Sequence, residues 1–207
     1  GGFRIKDDSG GDYNVYLDTG RNQSGTRIWM RHGARVQGTT PWTDATPSNI
    51  CSFGQGGIAF GSDTAAANTL DDYEEGEYTY TITGNTGGSM TPRANYTKFS
   101  YTKIGSMVHV QGKFETSGAH NATGYLKFSL PFTSANLTDQ AGSSAGAFFL
   151  YRTGLANIYN PTPFLPDNYN IFLVYYNTIS NNEVNTLDGG DVDSSIEGFV
   201  SITYRAA

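Results

Sequence analysis

The chain has 207 residues, a net charge of −6 and only 15% charged residues, with 26 glycines, 14 tyrosines and 12 phenylalanines. This composition lacks the Ala, Leu, Glu and Lys that build helices, and it is typical of β proteins. The negative charge argues against a protein that binds nucleic acid or anionic lipid, because clustered basic residues recognise both partners. With a single cysteine, Cys51, the chain has no intramolecular disulfide and no cysteine-rich zinc site.

Residues 1–69 carry short alternating segments separated by glycine-rich turns. The pattern predicts strands at 3–6, 13–17 and 27–31, and a glycine-punctuated pair of short strands within 52–61. Only ten residues in 1–69 are Leu, Ile, Val or Phe, which is below the ~20% that an independently folded core needs. We therefore expect a fibrous β-segment whose narrow core is shared by three intertwined chains. The alternative is a tail that is ordered only where it lies on the second domain.

Residues 70–77 form the densest charge cluster and are expected to join two kinds of structure. The cluster contains Asp71, Asp72, Glu74, Glu75 and Glu77. Carboxylates this close together repel one another, so we expect them to stay solvated or to face arginines of a neighbouring chain, such as Arg31 or Arg93. A pair of catalytic carboxyl groups is the alternative, and Asp72 and Glu74 would share a face of an extended chain.

From residue 78 to the C-terminus the alternation strengthens and predicts an all-β domain. Tyr78, Tyr80 and Ile82 share one face of a predicted strand, and a hairpin turn is expected near Gly105. Further alternating strands are expected at 108–114, 126–130 and 200–204. Segments 148–151 and 171–179 are apolar on both faces, which indicates central or interface strands and favours a trimer. About eight strands suggest a jelly-roll-like β-sandwich over residues 78–207.

The predicted loops at 116–124, 133–146, 157–170 and 177–195 are long and rich in Asn, Ser, Gly, Asp and Tyr. Long loops on a rigid β-scaffold commonly carry binding sites. Tyrosine rings stack on sugar faces and amides match sugar hydroxyls, so these loops suit carbohydrate. The alternative is that Asn and Tyr serve turns and rim packing. The candidate ligand-binding residues are Tyr159, Asn160, Asn168, Tyr169 and Tyr176.

Residues 188–194 carry Asp188, Asp191 and Asp193, whose hard oxygen atoms are spaced like part of a calcium loop. The stretch lacks the Glu and the regular spacing of an EF-hand, so an ordinary acidic turn is the competing interpretation. Apart from this weak calcium hypothesis, the sequence predicts no cofactor.

Two segments, with shorter matches at residues 58–61 and 96–98, resemble the distal part of bacteriophage tail fibres and related virion appendages. Members of that group carry a Leu-Asp-Asp-Tyr-Glu-Glu-Gly joint, found here at residues 70–76. The joint precedes a C-terminal β-domain whose first hairpin has the pattern Tyr-x-Lys-x-Gly-x-x-Val-x-Val-x-Gly, found here at residues 101–112. The group usually continues the joint with Thr-Trp-Thr-Pro, whereas this chain has Glu77-Tyr78-Thr79-Tyr80. The resemblance spans roughly residues 58–114 and transfers no catalytic residue.

The resemblance implies a homotrimeric virion protein that meets the host surface, with residues 1–69 as shaft, 70–77 as joint and 78–207 as receptor-binding head. The expected partners are a host cell-surface glycan or protein and other virion tail proteins, and the expected mode is non-enzymatic binding. One alternative is a tailspike that degrades polysaccharide, although no repeat typical of a β-helix is present. A second alternative is a capsid or tail decoration protein without a ligand.

Three remaining features carry weaker functional interpretations. Asp18-Thr19-Gly20 resembles the active-site triplet of aspartic proteases, but this triplet is also ordinary turn chemistry. His32, His109 and His120 are scattered, and we expect surface or interface positions for them. The longest apolar runs, at 147–151 and 171–176, are of strand length and too short to cross a bilayer as helices, which need ~20 residues.

Overall fold

A computed structural model describes residues 21–22, 25–32, 48–54, 57–60, 69–70, 73–152, 154, 158–178 and 183–207. The chain divides into two compact units, Gly1–Asp72 and Tyr73–Ala207, here called unit 1 and unit 2. The boundary falls inside the predicted acidic joint. The described residues form an all-β protein with antiparallel pairing throughout, and their one helical turn is Thr138–Gln140.

Unit 1 contains a five-stranded sheet whose strands follow one another in chain order. The glycine-punctuated hairpin predicted within 52–61 is confirmed, because Gly54 is paired with Gly57. The strand predicted at 27–31 is also confirmed. The strands predicted at 3–6 and 13–17 lie outside the described residues. The five strands are β1 (Arg21–Asn22), β2 (Gly25–His32), β3 (Ser48–Gly54), β4 (Gly57–Phe60) and β5 (Thr69–Leu70).

Unit 2 contains eleven strands, more than the eight expected from the sequence. In space the order is β6-β9-β10-β16-β12-β13-β14-β11-β7-β8, and β15 is paired with β14. The strands are β6 (Tyr73–Thr79), β7 (Ile82–Gly84), β8 (Ser89–Met90), β9 (Lys98–Ile104), β10 (Met107–Glu115), β11 (Leu126–Ser129), β12 (Ser144–Arg152), β13 (Ile158–Leu165), β14 (Ile171–Thr178), β15 (Val184–Thr186) and β16 (Glu197–Arg205).

The sheet of unit 2 curls into two halves, β6-β9-β10-β16-β12 and β13-β14-β11-β7-β8. Two segments of the chain pass from one half to the other. Residues 144–145 of β12 are paired with β13, whereas residues 146–152 are paired with β16. A Cβ atom at Gly146, where the change occurs, would lie 2.3 Å from the Ser201 carbonyl oxygen, so only glycine fits this corner. The strand predicted across 78–83 is similarly divided, since β6 is paired with β9 and β7 with β11.

The core lies between the two halves of the curled sheet and is made of side chains from one face of each alternating strand. In β10, β11 and β16 the buried positions alternate as the sequence predicted, and the hairpin at Gly105, with φ at 57°, is confirmed. Phe148 lies at the centre, with ring centroids 5.1 Å from Phe114, 5.8 Å from Phe128 and 6.2 Å from Phe172. These aromatic contacts join strands of the two halves.

The prediction that the doubly apolar segments are internal strands is confirmed. β14 has neighbours on both sides, namely β13 on one side and β11 and β15 on the other. β12 is bonded to both β16 and β13. The prediction of a loop over 157–170 was wrong, because β13 occupies most of it. β12 is paired only with the last two residues of β13. The earlier residues of β13 therefore have no neighbouring strand on that side, and a strand edge of this kind tolerates Pro161 and Pro163.

Candidate functional site

Unit 2 has two ends that differ in what they carry. At one end, here called the entry end, β6 begins at Tyr73, the Gly105–Ser106 turn lies beside it and β16 finishes at Arg205. At the opposite end, the loop end, the 116–125 loop and the 187–196 loop meet through backbone hydrogen bonds. Because β6 begins and β16 ends at the entry end, the described residues of the loop end belong to connections between strands or to strand ends.

Close backbone packing holds the loop end together. A Cβ atom at Gly88 would lie 1.8 Å from the Asn121 carbonyl oxygen, and one at Gly189 would lie 2.5 Å from that of Ala122. The 116–124 loop is therefore clamped between the β7–β8 turn and the 188–190 turn. Gly88 also has φ at 70°, which side chains rarely adopt. The clamp gives the loop a fixed shape.

Hydroxyl and amide groups lie on this clamped surface. The Thr86 hydroxyl donates to the Thr123 hydroxyl oxygen at 3.0 Å, and the Ser89 backbone N–H donates to Asn121 Oδ1 at 3.0 Å. Fixed donors and acceptors of this kind can bind the hydroxyl groups of a glycan with little loss of conformational entropy. Sequence reasoning missed these residues, although the closely spaced glycines at 84, 87 and 88 signal the clamp. We call the exposed residues Asn85, Thr86, Ser89, Asn121 and Thr123 the loop-end platform.

The structure separates the five candidate ligand-binding residues instead of bringing them together. Tyr159 and Asn160 are exposed on the first residues of β13, at the loop end. Asn168 and Tyr169 are exposed in the turn between β13 and β14, at the entry end. The six residues of β14 between these two places span roughly 20 Å. Only the first pair shares an end with the loop-end platform.

Tyr176, the fifth candidate, belongs to the core. It lies on β14, is only 7% exposed and offers almost no surface to a ligand. Burial, followed by the charges of Asp191 and Asp188, raises the pKa of its hydroxyl above 10.0. The sequence did not distinguish it from a surface tyrosine, because both faces of this strand are apolar.

The three aspartates of the calcium hypothesis are not gathered into a metal site. Asp188 Oδ1 accepts a hydrogen bond from the Gly190 backbone N–H at 2.8 Å, which closes the turn on itself. The Asp193 carboxylate lies instead against Gly154, on another segment. Within the described ranges, no group of three or more His, Cys, Asp or Glu residues could hold a metal ion. Asp188 and Gly190 thus form a closed turn within this acidic stretch.

The described part of the acidic joint belongs to β6, an edge strand of unit 2. Glu74, Glu75 and Glu77 are exposed, as expected. Tyr101 donates its hydroxyl hydrogen to Glu74, and this bond raises the pKa of Tyr101. Lys98 Nζ lies 3.1 Å from Glu77 Oε2 across the β6–β9 pair. Charged side chains on an edge strand discourage pairing with other sheets. Asp71 and Asp72 lie outside the described residues, so the Asp72–Glu74 pair has no structural description.

A second charge cluster lies where β10 and β16 approach the loop end. Lys113 Nζ lies 2.7 Å from Glu197 Oε1 and 4.6 Å from the centre of the Tyr96 ring. Arg93, considered above as a partner for the acidic joint, is bonded to Glu115 of its own chain. These contacts raise the pKa values of Lys113 and Arg93. The cluster is therefore internally compensated.

The histidines are on separate elements. His32 lies at the end of β2, and His109 Nδ1 lies 2.8 Å from the Thr203 hydroxyl oxygen. His120 Nδ1 is buried and has no hydrogen-bond partner among the described residues. The Asp18-Thr19-Gly20 triplet lies outside the part of the chain that the structure describes.

Comparison with protein-family models, with curated proteins and with solved structures gave no match for this chain. Across the described residues, no helix has the length and apolar character that crossing a membrane would require.

Proposed function

We propose that the chain is the distal part of a homotrimeric bacteriophage tail fibre, located in the virion and joined there to other tail proteins. The proposal rests on the positions, within unit 2, of the two segments that resemble tail fibres. The acidic joint at 73–77 and the hairpin at 101–112 are far apart in sequence, yet they form the adjacent strands β6, β9 and β10. Glu74 of the first segment accepts the hydrogen bond of Tyr101 from the second. The shared motif is thus one connected structural element.

The curled, two-layered unit 2 supports the finer proposal that residues 78–207 form a jelly-roll-like head. The scarcity of large apolar residues in 1–69 supports the proposal that this segment is an intertwined trimeric shaft. The shaft proposal rests on a general physical point: a segment with too little apolar surface of its own gains a core by sharing one with identical chains.

The proposed activity is non-covalent binding of a host-surface glycan at the loop end of unit 2. Tyr159 offers an exposed ring for stacking on a sugar, and Asn160 lies beside it. The loop-end platform offers hydroxyl and amide groups on the same end. Each site would bind weakly, and three sites on one fibre would raise the apparent affinity through effective concentration.

The experiment compares two tyrosines of similar exposure at opposite ends of unit 2. Tyr159, which is 47% exposed, and Tyr169, which is 54% exposed, are each replaced by alanine. Fluorescently labelled protein is then tested for binding to host cells and to an array of host-surface glycans. We expect Tyr159→Ala to lose at least tenfold in apparent affinity, since losing one aromatic contact costs ~1–1.5 kcal/mol per site and three sites act together. Tyr169→Ala should bind like the original chain.

Two results would overturn the glycan proposal. Cell binding that survives enzymatic removal of surface glycans would indicate a protein receptor instead. Equal binding by the original chain and by Tyr159→Ala would mean that the glycan does not bind at the loop end. Release of reducing ends from host polysaccharide by the original chain would favour the tailspike alternative.

A further inference from the structure

The large apolar side chains that remain exposed in unit 2 are concentrated on one surface. Strands β6, β9, β10, β16 and β12 form one half of the curled sheet, and the side of that half turned away from the core is here called the outer face. Of the ten large apolar side chains exposed among the described residues, six project from the outer face, and they are between 48% and 68% exposed. Such concentration is unusual for a surface in contact with water and marks an interaction site. The six are Tyr73, Ile104, Met107, Phe149, Tyr151 and Phe199.

Strand register divides these six residues into two clusters. Tyr73 is paired with Ile104, and Ile104 with Met107, so these three form a row across β6, β9 and β10 at the entry end. The second cluster lies nearer the loop end, where the rings of Phe149 and Phe199 are 6.3 Å apart and Tyr151 lies on the same strand as Phe149. Phe199 is six residues from Arg205, the partner of Met107, so the clusters are separated by roughly 20 Å.

Several charged residues on and beside the outer face have opposite charges next to them. Lys113 contacts Glu197 and Glu115, and Arg93 contacts Glu115. At the edge of the face, Lys98 contacts Glu77. Covering these ion pairs buries charges that already compensate one another, which lessens the main electrostatic obstacle to burying charged groups.

The outer face is also large enough for a stable contact. Five strands at ~4.8 Å spacing and about nine residues at ~3.4 Å rise give a flat area of roughly 700 Å². A specific interface between two proteins buries about 800 Å² on each partner. The dimensions therefore match a contact with another folded protein better than a contact with one sugar residue.

We propose that the outer face is where copies of this chain meet, with the entry-end cluster of one copy packed against the aromatic cluster of the next. This inference rests on the proposed homotrimer and identifies the surface through which the heads associate. Because the two clusters differ, each copy can contact two neighbours, one through each cluster, and this head-to-tail arrangement closes into a ring when repeated three times. Met107 is a favourable partner for Phe149 and Tyr151, because thioether sulfur packs well against aromatic rings.

Photochemical crosslinking of the full chain tests the contact directly. Phe149 is replaced by the photoreactive residue benzoylphenylalanine, which preserves an aromatic ring at this exposed position. After irradiation, denaturing electrophoresis separates products of one chain from products of two. We expect a two-chain product whose crosslink maps to residues 104–107 of the second chain. A crosslink only to residues 1–72 of the same chain would overturn the proposal, because that segment would then cover the face. Absence of any two-chain product would overturn it as well.

Oxidation of Met107 gives an independent measurement on the same chain. Met107 is 53% exposed in the single chain, so an open outer face would let peroxide oxidise it about as fast as a methionine in a peptide. We expect oxidation roughly tenfold slower than in a peptide if the outer face is covered. Phe149→Glu should abolish this protection, whereas Val184→Glu, which changes an exposed valine outside the outer face, should preserve it. Peptide-like oxidation in the original chain would contradict the proposal.

The native mass of the original chain separates failure of this inference from failure of the proposed function. A mass of three chains without the 149-to-104–107 crosslink would overturn the outer-face contact and leave the homotrimer standing. A mass of one chain would overturn both the homotrimer and the contact.

Discussion

The two faces of the β6-β9-β10-β16-β12 half are both rich in large apolar side chains, yet they differ completely in what covers them. On the inner face, Phe99, Val110 and Tyr204 are almost fully buried against the other half of the sheet. On the outer face, Phe149, Tyr151 and Phe199 remain about half exposed. The inner face is explained by folding of one chain. Folding of one chain does not explain the apolar side chains of the outer face, which favours association between chains through that face.

Phe148 and Phe149 show this contrast within one strand. Successive side chains of a strand point to opposite faces, so these neighbours have the same chemistry and opposite surroundings. Phe148 is 6% exposed and contacts three core phenylalanines, whereas Phe149 is 58% exposed and lies beside Phe199. Substitutions at the two positions therefore separate the energetics of folding from those of association.

The largest expected effect is that of Phe148→Ala. Removing this ring opens a cavity among Phe114, Phe128 and Phe172 and should lower the free energy of unfolding by about 3–5 kcal/mol. Phe149→Ala removes an equal volume from the outer face and should cost under about 1 kcal/mol in the isolated chain. Urea denaturation followed by near-ultraviolet circular dichroism measures both. Comparable losses at low chain concentration would mean that the outer face is covered by residues of the same chain.

The next effect concerns the tyrosines of the inner face at high pH. Tyr80 and Tyr204 are 1% exposed and donate hydrogen bonds to the carbonyl oxygens of Tyr96 and Phe132. Burial raises the pKa of each hydroxyl above 10.0, and the same holds for the partly buried Tyr78. Since the unfolded state ionises first, the stability that these groups contribute is complete below pH 10 and is lost as the pH rises further. Each of these three tyrosines should lower the free energy of unfolding by about 1.4 kcal/mol per pH unit above 10.

Urea midpoints between pH 9 and pH 11.5, with tyrosinate absorbance recorded in parallel, measure this loss. In the folded protein, Tyr78, Tyr80 and Tyr204 should fail to ionise until the protein unfolds. Complete ionisation of all tyrosines near pH 10, with the fold intact, would contradict the burial of these rings.

The sequence predicted the inner face well because period-two alternation directly reflects which side chains must leave water. The strands predicted at 108–114, 126–130 and 200–204 each bury one side, which contains Phe114, Phe128 and Ile202. The curl of the sheet was missed because alternation continues unbroken through Tyr80 and Thr81, where the chain passes from one half to the other. β13 was missed because its two prolines are typical of a loop. They are tolerated here only through the missing neighbour on one side.

The candidate site was harder to predict because binding depends on which loops meet. Tyr159 and Tyr169 both belong to the loop predicted over 157–170, but β13 carries them to opposite ends of unit 2. Asn121 and Ser89 are 32 residues apart and meet through a hydrogen bond. Composition identified the kinds of residues that bind sugars, whereas strand register decides which of them share a surface.

The smallest expected effect tests whether aromatic rings of the inner face can move to admit an added methyl group. It compares a ring at the centre of the face with a ring at its edge. A Cβ atom at Gly112 would lie 2.4 Å from Phe99 Cδ1, and the Phe99 ring is held by stacking on Tyr80 at 4.0 Å. Gly112→Ala should therefore cost about 1–3 kcal/mol of unfolding free energy. At Gly76, on the edge strand β6, a Cβ atom would lie 3.3 Å from the Tyr101 ring, which is only partly buried and has room to shift.

Gly76→Ala is the matched control, because both glycines lie opposite an aromatic ring of β9. It should change the unfolding free energy by less than about 1 kcal/mol, since reduced freedom of the unfolded chain offsets the small displacement of Tyr101. Thermal and urea unfolding of the two variants measures the difference. If both substitutions cost the same, the Phe99 ring is free to move, and the inner face would be less tightly packed at its centre than its burial indicates. Its contrast with the outer face would then be one of exposure alone, without a matching difference in rigidity.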